Sequence, residues 1–134
     1  MEIKRNEATL NRPKGDRVID APFVFLDIPK FIRHIKKEKA WKKSDRNGIT
    51  IFKSEGVTMV ITILQEGAKI EDNIMDEFLV VQVLDGKVNI ATSEGEFEIK
   101  KKNAVTLHPG ISHSIEAGSK ATLLLTTFNS KNEF

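Results

Sequence analysis

Three imidazoles and a short acidic stretch are the groups in this 134-residue chain best equipped for chemistry: His34, His108 and His113, and Glu71, Asp72, Asp76 and Glu77. An imidazole moves a proton near neutral pH and ligates metals, and carboxylates serve as acids, bases and oxygen ligands. His113 is the leading candidate, as ligand, general acid or base, or partner of a bound oxygen. Ser112 and Ser114 flank it, but on a strand both point away from its face, so no Ser–His pair is expected. His108, five positions earlier, is out of step with His113 and reads as structural. His34 lies among lysines and reads as a surface residue. Gln82 sits inside an apolar run and needs hydrogen-bond partners if buried; its parity sets it on the face opposite Leu79. The acidic stretch reads as a loop at one rim of the fold. The chain has no cysteine, which excludes a disulfide framework, a thiolate zinc site and cysteine nucleophiles. It has no tyrosine to act as a phenol acid, and G-x-S-x-G, Walker, G-x-G-x-x-G and H-E-x-x-H motifs are absent.

The elements that place these residues change character near Gly48. Residues 6–20 are polar, with Pro13 and Gly15, and read as an arm without regular structure. Residues 23–26, Phe-Val-Phe-Leu, read as a short strand. Pro29 suits the first turn of a helix, which is expected over about residues 29–43, with Phe31, Ile32, Ile35 and Trp41 near one face and Lys30, Arg33, Lys36, Lys37 and Lys39 over the rest. Asn47-Gly48 reads as the turn that ends it. Beyond it the pattern is short β-rich runs separated by Gly turns, about eight strands, the signature of an all-β sandwich or barrel. Asp85-Gly86 reads as a hairpin turn between residues 78–84 and 87–92.

The chain is 40% hydrophobic and 30% charged, an ordinary globular balance that needs no disordered or fibrous reading. Its net charge of +2 is unevenly spread: residues 1–48 carry +6 and residues 49–134 carry −4. A solvated basic helix facing the acidic body, its own or a partner's, is the expected use of that asymmetry, and no contact with nucleic acid or membrane is expected, because no aromatic stacking platform accompanies the charges. The apolar runs 57–64 and 78–84 fall far short of the ~20 residues of a membrane helix. The first residues lack the apolar stretch of a secretory signal, so a cytoplasmic location is expected.

Residues 67–125 resemble the cupin superfamily, whose two motifs run G-x5-H-x-H-x3,4-E-x6-G and G-x5-P-x-G-x2-H-x3-N. The second is the better match: in the run from Lys102 to Ala117, Gly110 takes the motif glycine and His113 the motif histidine, while His108 stands where the first proline usually is. In the first, Gly67 and Gly86 take the glycines, but Asn73 and Met75 hold the histidine positions and Leu79 the glutamate position. The resemblance implies an all-β, jelly-roll β-barrel of the RmlC-like kind over residues 22–128, preceded by an arm (1–21) and followed by a tail (129–134). It also implies a pocket around His113 lined by Asn73, Met75 and Leu79. Cupin metals are held by three imidazoles and a carboxylate. One imidazole is too few, so no cofactor is expected, and any metal would rest on His113 with substitutes such as Glu71, Asp72, Glu77 or His108. The functional expectation is a small polar metabolite bound without a tight metal. The alternatives are a metal-dependent isomerase, lyase or dioxygenase-like enzyme, and a structural or interaction domain with a filled barrel. No catalytic residue is assigned. A homodimer is expected, with residues 23–26 or the arm contributing.

Overall fold

The computed structural model describes residues 1–129, the side chains of Asp72 and Asn73 excepted. In chain order come β1 (Lys4–Asn6), β2 (Arg17–Asp20), α1 (Ile28–Lys37), α2 (Lys39–Lys43), β3 (Arg46–Lys53), β4 (Val57–Leu64), β5 (Lys69–Asn73), β6 (Glu77–Asp85), β7 (Lys87–Thr92), β8 (Gly95–Lys100), β9 (Ala104–Leu107), β10 (His113–Ala117) and β11 (Ala121–Asn129). A five-stranded sheet in the order β3-β4-β11-β6-β9 lies over a four-stranded sheet in the order β5-β10-β7-β8. The pairings are antiparallel. β1 and β2 form a separate ribbon in the arm. The expected tail beyond residue 129 lies outside the described residues.

Alternation along the strands divides the apolar residues between two cores. Leu79, Val81 and Val83 of β6 and Leu123 of β11 point inward and meet Val88 and Ile90 of β7 and Ile115 of β10, all buried in the space between the sheets. The opposite face of the five-stranded sheet carries Ile49, Ile51, Ile61, Ile63 and Leu124, which pack against Ile35 of α1 and Trp41 of α2. Asp27 starts α1 by accepting the Lys30 N–H at 3.2 Å, and Pro29 occupies its first turn. The helix buries its Ile28, Phe31, Ile32 and Ile35 stripe and leaves its cations outside.

Several expected elements are rearranged. The single helix over 29–43 is two, broken at Glu38, whose backbone is extended (φ −75°, ψ 151°). Its half-buried carboxylate accepts hydrogen bonds from Arg12 of the arm at 2.9–3.2 Å and from Asn47 Nδ2 at 3.0 Å, with His34 Nε2 at 3.4 Å. His34 is therefore half-buried in this cluster, not free at the surface. Asn47-Gly48 is not the turn after the helix but part of β3. Asn47 is buried there, and its amide also donates to the Ile35 carbonyl at 2.8 Å. The arm is not structureless: Arg12 Nη2 donates to the Gly48 carbonyl at 2.8 Å and Arg17 to that of Thr50 at 2.6 and 2.9 Å. Residues 23–26 form no strand; β2 lies upstream. Residues 69–73 of the expected acidic loop are a strand, because β10 offers them an edge to pair with.

Asp85-Gly86 does not close a hairpin, since β6 and β7 belong to different sheets and β7 pairs with β8 and β10 instead. It is a corner between layers. Gly86 has φ +75°, and a Cβ there would run into the Lys120 carbonyl oxygen and Ser119 Oγ. Gly67 also has a positive φ, +84°, but open space around it.

Two outcomes follow. Gly67→Ala is expected to cost about 1–2 kcal/mol, the left-handed backbone penalty alone, whereas Gly86→Ala adds a backbone clash and is expected to cost more; urea unfolding of both variants compares them. For Glu38, burial raises the carboxyl's proton affinity, but the Arg12 and Asn47 hydrogen bonds and the Arg12 and His34 charges outweigh it and set the pKa below the ordinary 4.5. The folded state thus holds this proton less tightly than the unfolded one. The resulting stability is present above about pH 4.5 and is lost as pH falls through the lowered value. Glu38→Gln is expected to lose stability at neutral pH and to flatten the acid limb of a Tm-versus-pH curve.

Candidate functional site

β10 lies between β5 and β7, with His113 opposite Asn73 on one side and Thr92 on the other. His113 shares its inward face with Ile115 and Ala117 and is 3% exposed. Its Nδ1 lies 3.2 Å from the Ile111 carbonyl. A carbonyl only accepts, so we place the ring proton on Nδ1, which leaves Nε2 as an acceptor. That Nε2 is buried and has no hydrogen-bond partner among the described residues. The loop before β10 is tied across the barrel mouth by the Gly110 N–H, which donates to the Met75 carbonyl at 2.8 Å.

Leu79 is buried in the inner core, and Met75 is half-buried against it. The side chain of Asn73, the remaining expected lining residue, lies outside the described residues; its backbone pairs with His113. At the first-motif positions assigned from the sequence, Leu79 offers no donor, Met75 a soft thioether and Asn73 at most an amide oxygen, which with one imidazole do not fit the nitrogen-rich set of a cupin metal. Of the expected substitutes, Glu71 and His108 are exposed, Glu77 is half-buried at the start of β6, and the side chain of Asp72 lies outside the described residues; no group of three or more His, Cys, Asp or Glu among the described residues is placed to hold a metal ion. His108 instead packs edge-on against Phe78, ring centroids 4.9 Å apart. Gln82 is half-buried on the outer face, opposite Leu124 and Ala104, as its parity requires.

Open apolar space is found outside the barrel. A hollow of about 380 Å³ is lined by Ile3, Val18, Ala21, Phe23, Phe25, Leu26 and Phe31 among others, where the arm meets the start of α1. Phe23 and Phe25 stand at its rim 90% and 88% exposed, and the backbone of residues 23–25 makes no hydrogen bond among the described residues. Alternation at residues 23–26 was the sequence signal for this face: Phe23 and Phe25 point out, Val24 and Leu26 are half-buried. A second hollow of about 510 Å³ is lined by Arg12, Arg17, Glu38 and neighbouring polar residues of the arm.

No family model matches the chain, and no curated protein matches it in sequence. Solved structures do match in fold. The cupin domain of Schizosaccharomyces pombe Cnp3 aligns with 97% of this chain and 89% of its own, at 17% identity and a TM-score of 0.62. A cupin superfamily protein from Desulfitobacterium hafniense aligns over 63% and 78% at 12% identity, TM-score 0.61, and an RmlC-like cupin from Shewanella frigidimarina over 66% and 79% at 11% identity, TM-score 0.60. The last two leave about a third of this chain unmatched, whereas the first runs through the arm and helices as well.

His113 gives a direct test of what this interior demands. Because Nε2 has no partner among the described residues, His113→Leu removes a buried group whose cost when unsatisfied is about 1–3 kcal/mol, against the loss of one hydrogen bond to Ile111. The variant is expected to fold with stability equal to or above that of the parent in urea unfolding; a loss of more than about 2 kcal/mol would mean that Nε2 has a partner.

Proposed function

From the cupin fold of this chain, a β-barrel of the RmlC-like kind, we propose that it works as an interaction domain that assembles as a homodimer, with the barrel as its rigid filled core. The observation that carries this reading is the distribution of apolar surface. Aliphatic side chains from both sheets pack into one core between them, while two phenylalanine rings stand in solvent beside an apolar hollow on the outside. A face that carries both a protruding pair and a recess is self-complementary: a two-fold axis lets each copy place its rings against the other's hollow. Exposed aromatic surface of this kind marks a contact site.

A second reading keeps one supporting observation. The buried Nε2 of His113, without a partner among the described residues, is the acceptor that a small polar metabolite with a hydroxyl or N–H would satisfy, and that reading needs no metal.

Burying one phenylalanine contributes about 1.5–3 kcal/mol. Phe23→Ser with Phe25→Ser therefore removes four such rings from a dimer and is expected to weaken association by more than about a hundredfold, leaving the barrel folded. Sedimentation velocity across a concentration series reads this. A parent protein that sediments as a monomer throughout would overturn the assembly.

A further inference from the structure

The surface of α1 and α2 carries seven Lys and Arg side chains within residues 30–43, and all seven are exposed. None forms an ion pair among the described residues; the ion pairs there use other cations. The one acid inside the run, Glu38, is turned inward onto Arg12. Among the described residues, then, no carboxylate of the chain's own acidic body lies within ion-pair distance of this face. Lys30, Arg33 and Lys37 recur at i, i+3 and i+7 and form one stripe about 10 Å long on the solvent side of α1.

We propose that this surface docks on the phosphodiester backbone of a double-stranded nucleic acid, without reading its sequence. Such a duplex presents about one negative charge per 1.7 Å of its axis, and a row of mobile cations is the surface that displaces its counterions. The remaining features of the helices select among polyanions. Phe31 and Trp41 pack against the sheet, so the rings of the helices themselves are not free to stack on the bases of a single strand, and the exposed rings, Phe23 and Phe25, precede α1 and are not interleaved with its cations. The apolar stripe that a surface-lying helix would sink into a bilayer is already buried against β3 and β4. The proposal does not rest on the assembly reading, and it replaces the expectation, drawn from composition, that the chain meets no nucleic acid.

The test is fluorescence anisotropy of the full chain with labelled duplex DNA and duplex RNA of mixed sequence over a salt series. Lys30→Gln with Arg33→Gln and Lys37→Gln is compared with a control that removes as many charges elsewhere, Lys87→Gln with Lys100→Gln and Lys101→Gln. Arg33→Glu alone repeats the comparison with a single change. The expected result is binding to a duplex that weakens steeply with salt. The stripe variant should bind at least about tenfold more weakly, with its log–log salt slope shallower by about 2–3, while the control keeps the parent's affinity; the tighter of the two duplexes identifies the partner. Three results would overturn the proposal: no duplex binding at low salt, equal losses in the stripe variant and the control, or binding to phosphatidylserine vesicles with none to either duplex.

Discussion

One half-buried carboxylate, Glu38, joins the parts of this molecule that lie outside the barrel. Its oxygens receive Arg12 from the arm, Asn47 from β3 and His34 from α1. Its backbone, extended where a helix would otherwise continue, turns α1 into α2. A carboxylate so placed is destabilised by lost hydration and kept ionised only by its donors. The arm, the helix pair and the first barrel strand are therefore coupled, and losing any one donor leaves charge without a full set of partners. The hollow lined by Phe23, Phe25 and Leu26 is positioned by this arrangement, since its walls come from the arm and from α1.

The barrel illustrates how far a scaffold can be separated from its customary chemistry. The strand order, the corner at Gly86 and the inward histidine are present, but Leu79 and Met75 stand where donors would be needed. His113 Nε2, buried and without a hydrogen-bond partner among the described residues, is a polar atom left inside. Fold and activity are separable properties, and in this chain the surfaces most unlike an ordinary exterior, the phenyl rings and the cation stripe, both belong to the N-terminal third.

Much of the barrel was legible because alternation is a local property. Val57–Leu64 reads as a strand residue by residue and is one, and the opposite orientations of Leu79 and Gln82 follow from parity alone. The inward placement of His113 came from a motif that geometry preserves even where its companions have changed. What was hidden depends on partners distant in sequence. Asn47-Gly48 has turn chemistry, yet a carboxylate nine residues away and a helix carbonyl twelve away hold Asn47 in a strand. Asp85-Gly86 has hairpin chemistry, yet the packing of Gly86 against Lys120 sends the next strand into the other sheet. Lys69–Asn73 carries charges suited to a rim loop and becomes a strand because β10 has a free side. The helix break at Glu38 has no local signature at all, and the partner that its side chain takes there, Arg12, lies twenty-six residues upstream.

The two guanidinium groups of the arm also act as a stopper. β3 is the outermost strand of its sheet, and the carbonyls of Gly48 and Thr50 accept from Arg12 and Arg17. Outermost strands with unpaired backbone are where chains join one another into open-ended fibres. Proteolytic clipping between Arg17 and the first helix would therefore do more than loosen the fold: it would uncover a bare ladder, and the shortened molecule would be prone to polymerise along it.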